Sequence, residues 1–354
     1  MAELTFSGIG ITGLAAAVPA NRIDNYAYTE HFPADDVREI VDKTGIKERR
    51  FALPHQCASD FCFAAADQLL TDLEVDRSEI DLLVFVSQTP DYRMPATSVI
   101  LQDRLGLSKG TAAFDLNLGC SAFVYGLSVV YSFMQQGTFR KALLLDGETR
   151  SRVYSPKDRK TGFLFGDGGV AALVERNETL GSSHFTLRSD GSRESLIKID
   201  AGGYRNPSSV ESVKEKVVDE HGNIRSDEQA YMNGADVFNF VLREIPKTVK
   251  AILAKAEIQR EDVDYFVFHQ ANQYMNSYLA KKMKVDTTKV PTCLDRFGNT
   301  SSVSIPLTIV TELADKTDEA NQVLLCGFGV GLSWAASLLS LTHCRVLPLI
   351  EVND

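Results

Sequence analysis

The sequence contains no Cys-x-x-Cys pair. Its six cysteines stand at positions 57, 62, 120, 293, 326 and 344, a scatter that matches neither zinc-ligand spacing nor a small disulfide framework. Reduced thiols and no bound metal are expected. Nowhere does the chain reach the roughly 18 consecutive apolar residues of a membrane-spanning helix. Its opening, "MAELTFSGIGITGLAAAVP", lacks the basic stretch of a secretion signal. These absences predict a soluble, cytoplasmic protein with no membrane partner. Positive charge is also in deficit, with 37 Lys and Arg against 47 Asp and Glu and a net charge of -10. Nucleic-acid binding depends on clustered cations that displace counterions from phosphates. No nucleic-acid partner is therefore expected, and any acidic partner must meet a local basic patch.

What remains is globular composition, 44% hydrophobic and 24% charged, in 354 residues, enough for two core-sized units. The two units show as an internal repeat. "LLTDLEVDRSEIDLLVFV" (69–86) lies over "ILAKAEIQREDVDYFVFH" (252–269) without a gap, so that Leu70, Glu74, Arg77, Asp81, Val84 and Phe85 recur as Leu253, Glu257, Arg260, Asp264, Val267 and Phe268. Each copy reads as the end of an amphipathic helix, an acidic turn and a strand buried on both faces. Further windows follow in the same order: "LNLGCSAF" over "DRFGNTSS", "KALLLDGE" over "NQVLLCGF" and "FGDGGVAAL" over "FGVGLSWAA". A solenoid needs three or more short units, so two long copies mean a duplicated α/β domain. The expected halves are 1–178 and 179–354, with function where they meet. The polar stretch 201–231 has little apolar periodicity and is either a flap over the site or a plain surface insertion.

Three chemically active side chains fall at equivalent places in this frame. Cys120 and Asn299 each follow a glycine at matching turns, and His269 ends the second buried strand. A thiol at the start of a helix is favoured as thiolate by the positive end of the macrodipole. His269 can donate or accept a proton, and Asn299 offers an amide donor that does not titrate. Each residue has a plainer reading: a packed cysteine, a structural histidine, an asparagine capping a turn. Their coincidence in one frame favours a single site.

On these residues the chain resembles the thiolase superfamily and, within it, the β-ketoacyl-acyl carrier protein synthases of the third class. The shared motifs are "GCSAF" with Cys120, "HQAN" with His269, "GNTSS" with Asn299 and the closing "GFGVGLSW", joined by "KTGIKERR", "SPKDRKTGFLFGDGG" and "NGADVF". The resemblance implies a thiolase-like α/β fold whose two halves stack as α-β-α-β-α. It also implies an acyltransferase: Cys120 takes an acyl group from a thioester while the backbone N–H groups of Cys120 and Val330 hold the oxyanion. A malonyl thioester then loses CO2, and its enolate, held by His269 and Asn299, attacks the acyl-enzyme to give a β-ketoacyl product for fatty-acid or related specialised biosynthesis. No bound cofactor is implied. The substrates are acyl and malonyl thioesters on coenzyme A or on the phosphopantetheine of an acyl carrier protein. The family is homodimeric, and Met94 of the partner subunit is the residue expected to close the acyl pocket. Lys281 and Lys282 are candidates for carrier-protein docking, and Lys43, Arg159 and Phe238 for contacts to coenzyme A or pantetheine.

The chain departs from the family pattern where coenzyme A is held. Glu39 and Lys43 stand where an aromatic ring and an arginine flank the adenine, and the one tryptophan is Trp334 in the closing motif. Tyr274 replaces an arginine after "HQAN", Val330 a glycine, and Met94 an aromatic residue. Two other functions stay open: acyl transfer from Cys120 without decarboxylation, and a silent subunit that only binds a carrier protein.

Overall fold

The computed structural model describes residues 2–353. Two mixed sheets form its frame. The first uses β2 (Ile9–Pro19), β3 (Leu82–Val86), β4 (Ala112–Leu116), β5 (Lys141–Thr149) and β6 (Asp167–Arg176); the second uses β1 (Ala2–Ser7), β7 (Ser182–Ser189), β8 (Tyr265–Phe268), β9 (Val323–Gly329) and β10 (Ser333–Leu339). Their orders are β2-β6-β5-β3-β4 and β1-β7-β10-β9-β8. In both, a parallel pair (β3 with β5, β8 with β9) is followed by two antiparallel pairings. The run β2-β6-β5-β3 thus reappears as β7-β10-β9-β8. Both chain ends cross between halves: β1 pairs with β7, and Arg345–Val346 and Ile350–Val352 pair with β2.

Strands β3, β9 and β10 are buried along their whole length, as expected for strands covered on both faces. Helices α1 (Ala58–Asp72) and α2 (Thr97–Arg104) cover the outside of the first sheet. Helix α4 (Gly234–Ala256), with α5 (Gln273–Met283) packed on it, covers the second. Between the sheets lie α3 (Ala122–Met134) and α6 (Ser304–Glu312), each touching strands of both. The five layers are α-β-α-β-α. Helix α3 reads "AFVYGLSVVYSFM", apolar nearly all round, which is what a helix enclosed between two sheets requires. No helix among the described residues is long and apolar enough to cross a membrane.

The residues that recur in sequence do the same work in each half. Glu74 and Glu257 both take the left-handed conformation that ends a helix. Arg77 donates to the carbonyl of Leu105, and Arg260 to that of Met283. The Asp81 carboxylate accepts from the Arg140 N–H, and that of Asp264 from the Gln322 N–H, each fixing the register of a central strand. The correspondence breaks at one connection. Residues 330–332 join β9 to β10, whereas 150–166 join β5 to β6. That longer excursion packs against the insertion at 201–231, which is tied to it by Lys157 to Glu215, Lys160 to Asp219 and the Ser155 hydroxyl to the Ile224 carbonyl. The insertion packs against the protein beside the site and forms a small hairpin, Lys216–Val217 with Ile224–Arg225.

Candidate active site

Cys120 lies in the turn between β4 and α3, one residue before the Ser121 cap, and is 7% exposed. Strand β9 runs flush against it. A Cβ added at Gly329 would sit 2.8 Å from the Cys120 Sγ, and one at Gly327 would sit 2.7 Å from the Cys120 carbonyl oxygen, so only glycine fits at either place. His269 follows β8 directly and is 2% exposed. Its Nδ1 lies 3.0 Å from the Ser301 carbonyl and 2.9 Å from the Ser304 Oγ, whose own hydrogen points to that carbonyl. Both neighbours accept, so Nδ1 carries the hydrogen and Nε2 is left free as a base. The Phe328 ring stands edge-on to the imidazole at 5.4 Å and holds its plane. Asn299 is pinned by its backbone to Leu164 and Gly166. Its Oδ1 accepts from the Ser301 N–H at 2.9 Å and its Nδ2 donates one hydrogen to the Ala271 carbonyl at 3.4 Å, which leaves the second Nδ2 hydrogen as the donor available to a substrate.

Cys120, His269 and Asn299 line one cavity of ≈ 70 Å³, together with Phe328, Gly329 and Val330. Among the described residues, neither the Cys120 nor the Val330 backbone N–H is spent on another protein group. Burial pushes the Cys120 thiol up, but the His269 imidazole, the Arg150 guanidinium and the Ser301 hydroxyl, 3.7 Å from Sγ, outweigh it and bring the thiol down to about 7. The other five cysteines shift the opposite way, burial raising each; Cys293 reaches about 11 and Cys344 about 12. Of the six thiols, Cys120 alone is shifted toward the thiolate.

Two profiles of known families match the chain. One, described as 3-oxoacyl-[acyl-carrier-protein (ACP)] synthase III, covers residues 114–191, and the other, the C-terminal part of the same synthase, covers 253–341. A β-ketoacyl-[acyl-carrier-protein] synthase III of Clostridioides difficile is 34% identical over 334 residues, spanning 94% of this chain and 98% of that one. The chain belongs to the β-ketoacyl-[acyl-carrier-protein] synthase III family. It is a condensing acyltransferase of the kind used in fatty-acid biosynthesis. The crystal structure of a 3-oxoacyl-(acyl-carrier protein) synthase from Burkholderia xenovorans superposes with a TM-score of 0.93 at 37% identity, covering 99% of both chains. That of a synthase III from Thermus thermophilus gives 0.79 at 32% identity over 94% of this chain and 98% of that one. The fold is thiolase-like, as the motifs implied.

The remaining expected synthase residues are placed unevenly. Met94 is 82% exposed and does not line the Cys120 cavity of its own chain. Lys281 and Lys282 are exposed on the last turn of α5, the helix whose Asn272 cap lines the Cys120 cavity. Lys43 is exposed, while Arg159 is engaged in an ion pair with Asp36. Phe238 stacks on Tyr274 at 5.4 Å and meets Tyr278 edge-on. None of these last three lines the cavity. The sequence reading missed Arg150 and Ser301. The signal for Arg150 was present: "LLLDGETR" places three charges at the end of an otherwise apolar run, and Asp146, Glu148 and Arg150 are 0%, 0% and 4% exposed. Ser301 gave no signal, because its position follows from a left-handed backbone, φ 57°, in the turn after Asn299.

Proposed function

We propose that Cys120 is acylated by a thioester and that the acyl-enzyme then condenses with a malonyl thioester carried by an acyl carrier protein. In the first step the His269 Nε2 takes the thiol proton and Sγ attacks the carbonyl. The N–H groups of Cys120 and Val330 hold the tetrahedral oxyanion, and the departing thiolate takes up a proton as it leaves. In the second, malonyl loses CO2, the enolate oxygen is held by the Asn299 Nδ2 and by the His269 Nε2 carrying a proton taken from solvent, and the carbanion attacks the acyl-Cys120 carbonyl, breaking the C–S bond and releasing Sγ, which takes that proton back. Residues 1–178 then supply the nucleophile and 179–354 the two enolate donors.

The observation that carries this reading is the setting of Cys120: one lowered thiol among six, sharing a cavity with His269 and Asn299. The remaining assignments form part of the same proposal. The working unit is a soluble, cytoplasmic homodimer in which Met94 of the partner subunit closes the acyl pocket. Lys281 and Lys282 attract the acidic carrier. Lys43, Arg159 and Phe238 lie along the path of coenzyme A or pantetheine, where Phe238, Tyr274 and Tyr278 offer rings for a base to stack on. The test separates the half-reactions by intact mass. Asn299→Ala is expected to acylate from an acyl thioester but to keep the adduct when malonyl-acyl carrier protein is added, and Cys120→Ala to show no adduct. Discharge from Asn299→Ala at the wild-type rate would remove Asn299 from the chemistry.

A further inference from the structure

A second, larger cavity of ≈ 330 Å³ lies beside the first, with Tyr154, Ile197 and Val330 common to both. Its apolar walls suit methylene groups, but Gln88, Asn117, Arg150 and Lys198 also line it, Lys198 being paired with Glu194 and Asp200. Both hydrogen bonds of Arg150 leave from Nη2, to the Gln88 Oε1 at 2.7 Å and the Ser301 Oγ at 3.2 Å, and its Nε has no hydrogen-bond partner. Glu148 stands 3.7 Å from that Nε and does not line the cavity. Glu148 approaches the guanidinium only at Nε and beyond hydrogen-bond distance, so the Nη1 end of Arg150 has no carboxylate beside it among the described residues. A wholly apolar acyl chain packed here would leave these polar groups facing hydrocarbon.

We propose that this cavity receives an acyl group ending in a carboxylate, which Arg150 binds. The proposal rests on the acyl-enzyme reading above and adds the class of primer: a short thioester of a dicarboxylic acid. A carboxylate matches the guanidinium in charge, and Nη1, which makes no hydrogen bond among the described residues, is the donor left for it. Ser301 bridges the two centres, 3.7 Å from the Cys120 Sγ and 3.2 Å from the Arg150 Nη2, so the distance to span suits a four-carbon diacid. The chemistry is thioester exchange: the Sγ–acyl bond forms as the donor C–S bond breaks, the Cys120 proton goes to the released thiol, and the far carboxylate is unchanged.

The test compares succinyl-pantetheine with 4-methylpentanoyl-pantetheine, which has the same branching without the charge, by the rate at which each adds its mass to Cys120. The wild-type protein is expected to favour succinyl by about tenfold or more. Arg150→Leu is expected to reverse the order, and Arg150→Lys to keep a reduced preference. Because each preference is a ratio within one protein, it is independent of any general change in thiol reactivity. A wild-type preference for 4-methylpentanoyl, or an unchanged ratio in Arg150→Leu, would overturn the assignment, and the wild-type ratio decides the matter even if the leucine variant fails to fold. No adduct from either donor would overturn the acyl-enzyme reading itself.

Discussion

Removing the His269 imidazole should change the pH at which Cys120 reacts more than its rate at neutral pH. The thiol sits at about 7 against an ordinary 9.0, with burial working upward and His269 the foremost opposing group. At pH 7 about half of Cys120 is thiolate, whereas a thiol at its ordinary value is ionised to about 1%. In His269→Ala the thiol should rise to 9 or beyond, as burial does to Cys293 and Cys344. Thiolate at pH 7 then falls about 50-fold. A more basic thiolate is intrinsically more nucleophilic, with a Brønsted slope of about 0.4–0.5, which returns roughly eightfold over two units. The net expectation is alkylation about sixfold slower at pH 7, overtaking the wild type a little above pH 8 and still climbing at pH 9. Iodoacetamide is the reagent, because it is neutral and is not drawn to Arg150, and intact mass follows the adduct. A His269→Ala profile that still levels off just above pH 7 would refute the role given to His269.

Gly329→Ala places a methyl group 2.8 Å from the nucleophile. It should lower stability by about 1–3 kcal/mol and slow acylation about 100-fold through misplacement of Sγ, checked by thermal unfolding and adduct kinetics. Asn299→Ala should cost about 100- to 1,000-fold in malonyl-dependent discharge while acylation changes by no more than a few-fold, read in single-turnover experiments. Reversing the charge of Lys281 and Lys282 together to Glu should lower kcat/KM for carrier-bound malonyl about tenfold at low salt, with the difference shrinking as salt rises. The same substrate on pantetheine should be unaffected, which steady-state assays on both donors check.

The repeat made the architecture legible because the matched residues hold the backbone: Asp81 and Asp264, Arg77 and Arg260 recur where a strand register or a carbonyl needs them. The site residues were legible as a set for a similar reason, since turns that open matching helices put Cys120 and Asn299 at the same level of the two halves. Arg150 was harder to see. It belongs to the one connection that the halves do not share, and its nearness to Cys120 runs through Ser301, which both residues meet. Ser301 depended on a local backbone twist that composition does not encode. The 201–231 stretch supports two readings because it lacks periodicity. Its fastenings are polar pairs to 155–160, and such pairs leave no hydrophobic pattern.

The division of labour is tested most directly on the isolated wild-type acyl-enzyme. Malonyl-acyl carrier protein is added after excess donor has been removed, and CO2, adduct and product are counted together. The account predicts one CO2 and one β-ketoacyl product for each acyl group lost from Cys120, and neither CO2 nor product from Cys120→Ala. Loss of the acyl group without CO2, or β-ketoacyl product from Cys120→Ala, would contradict it.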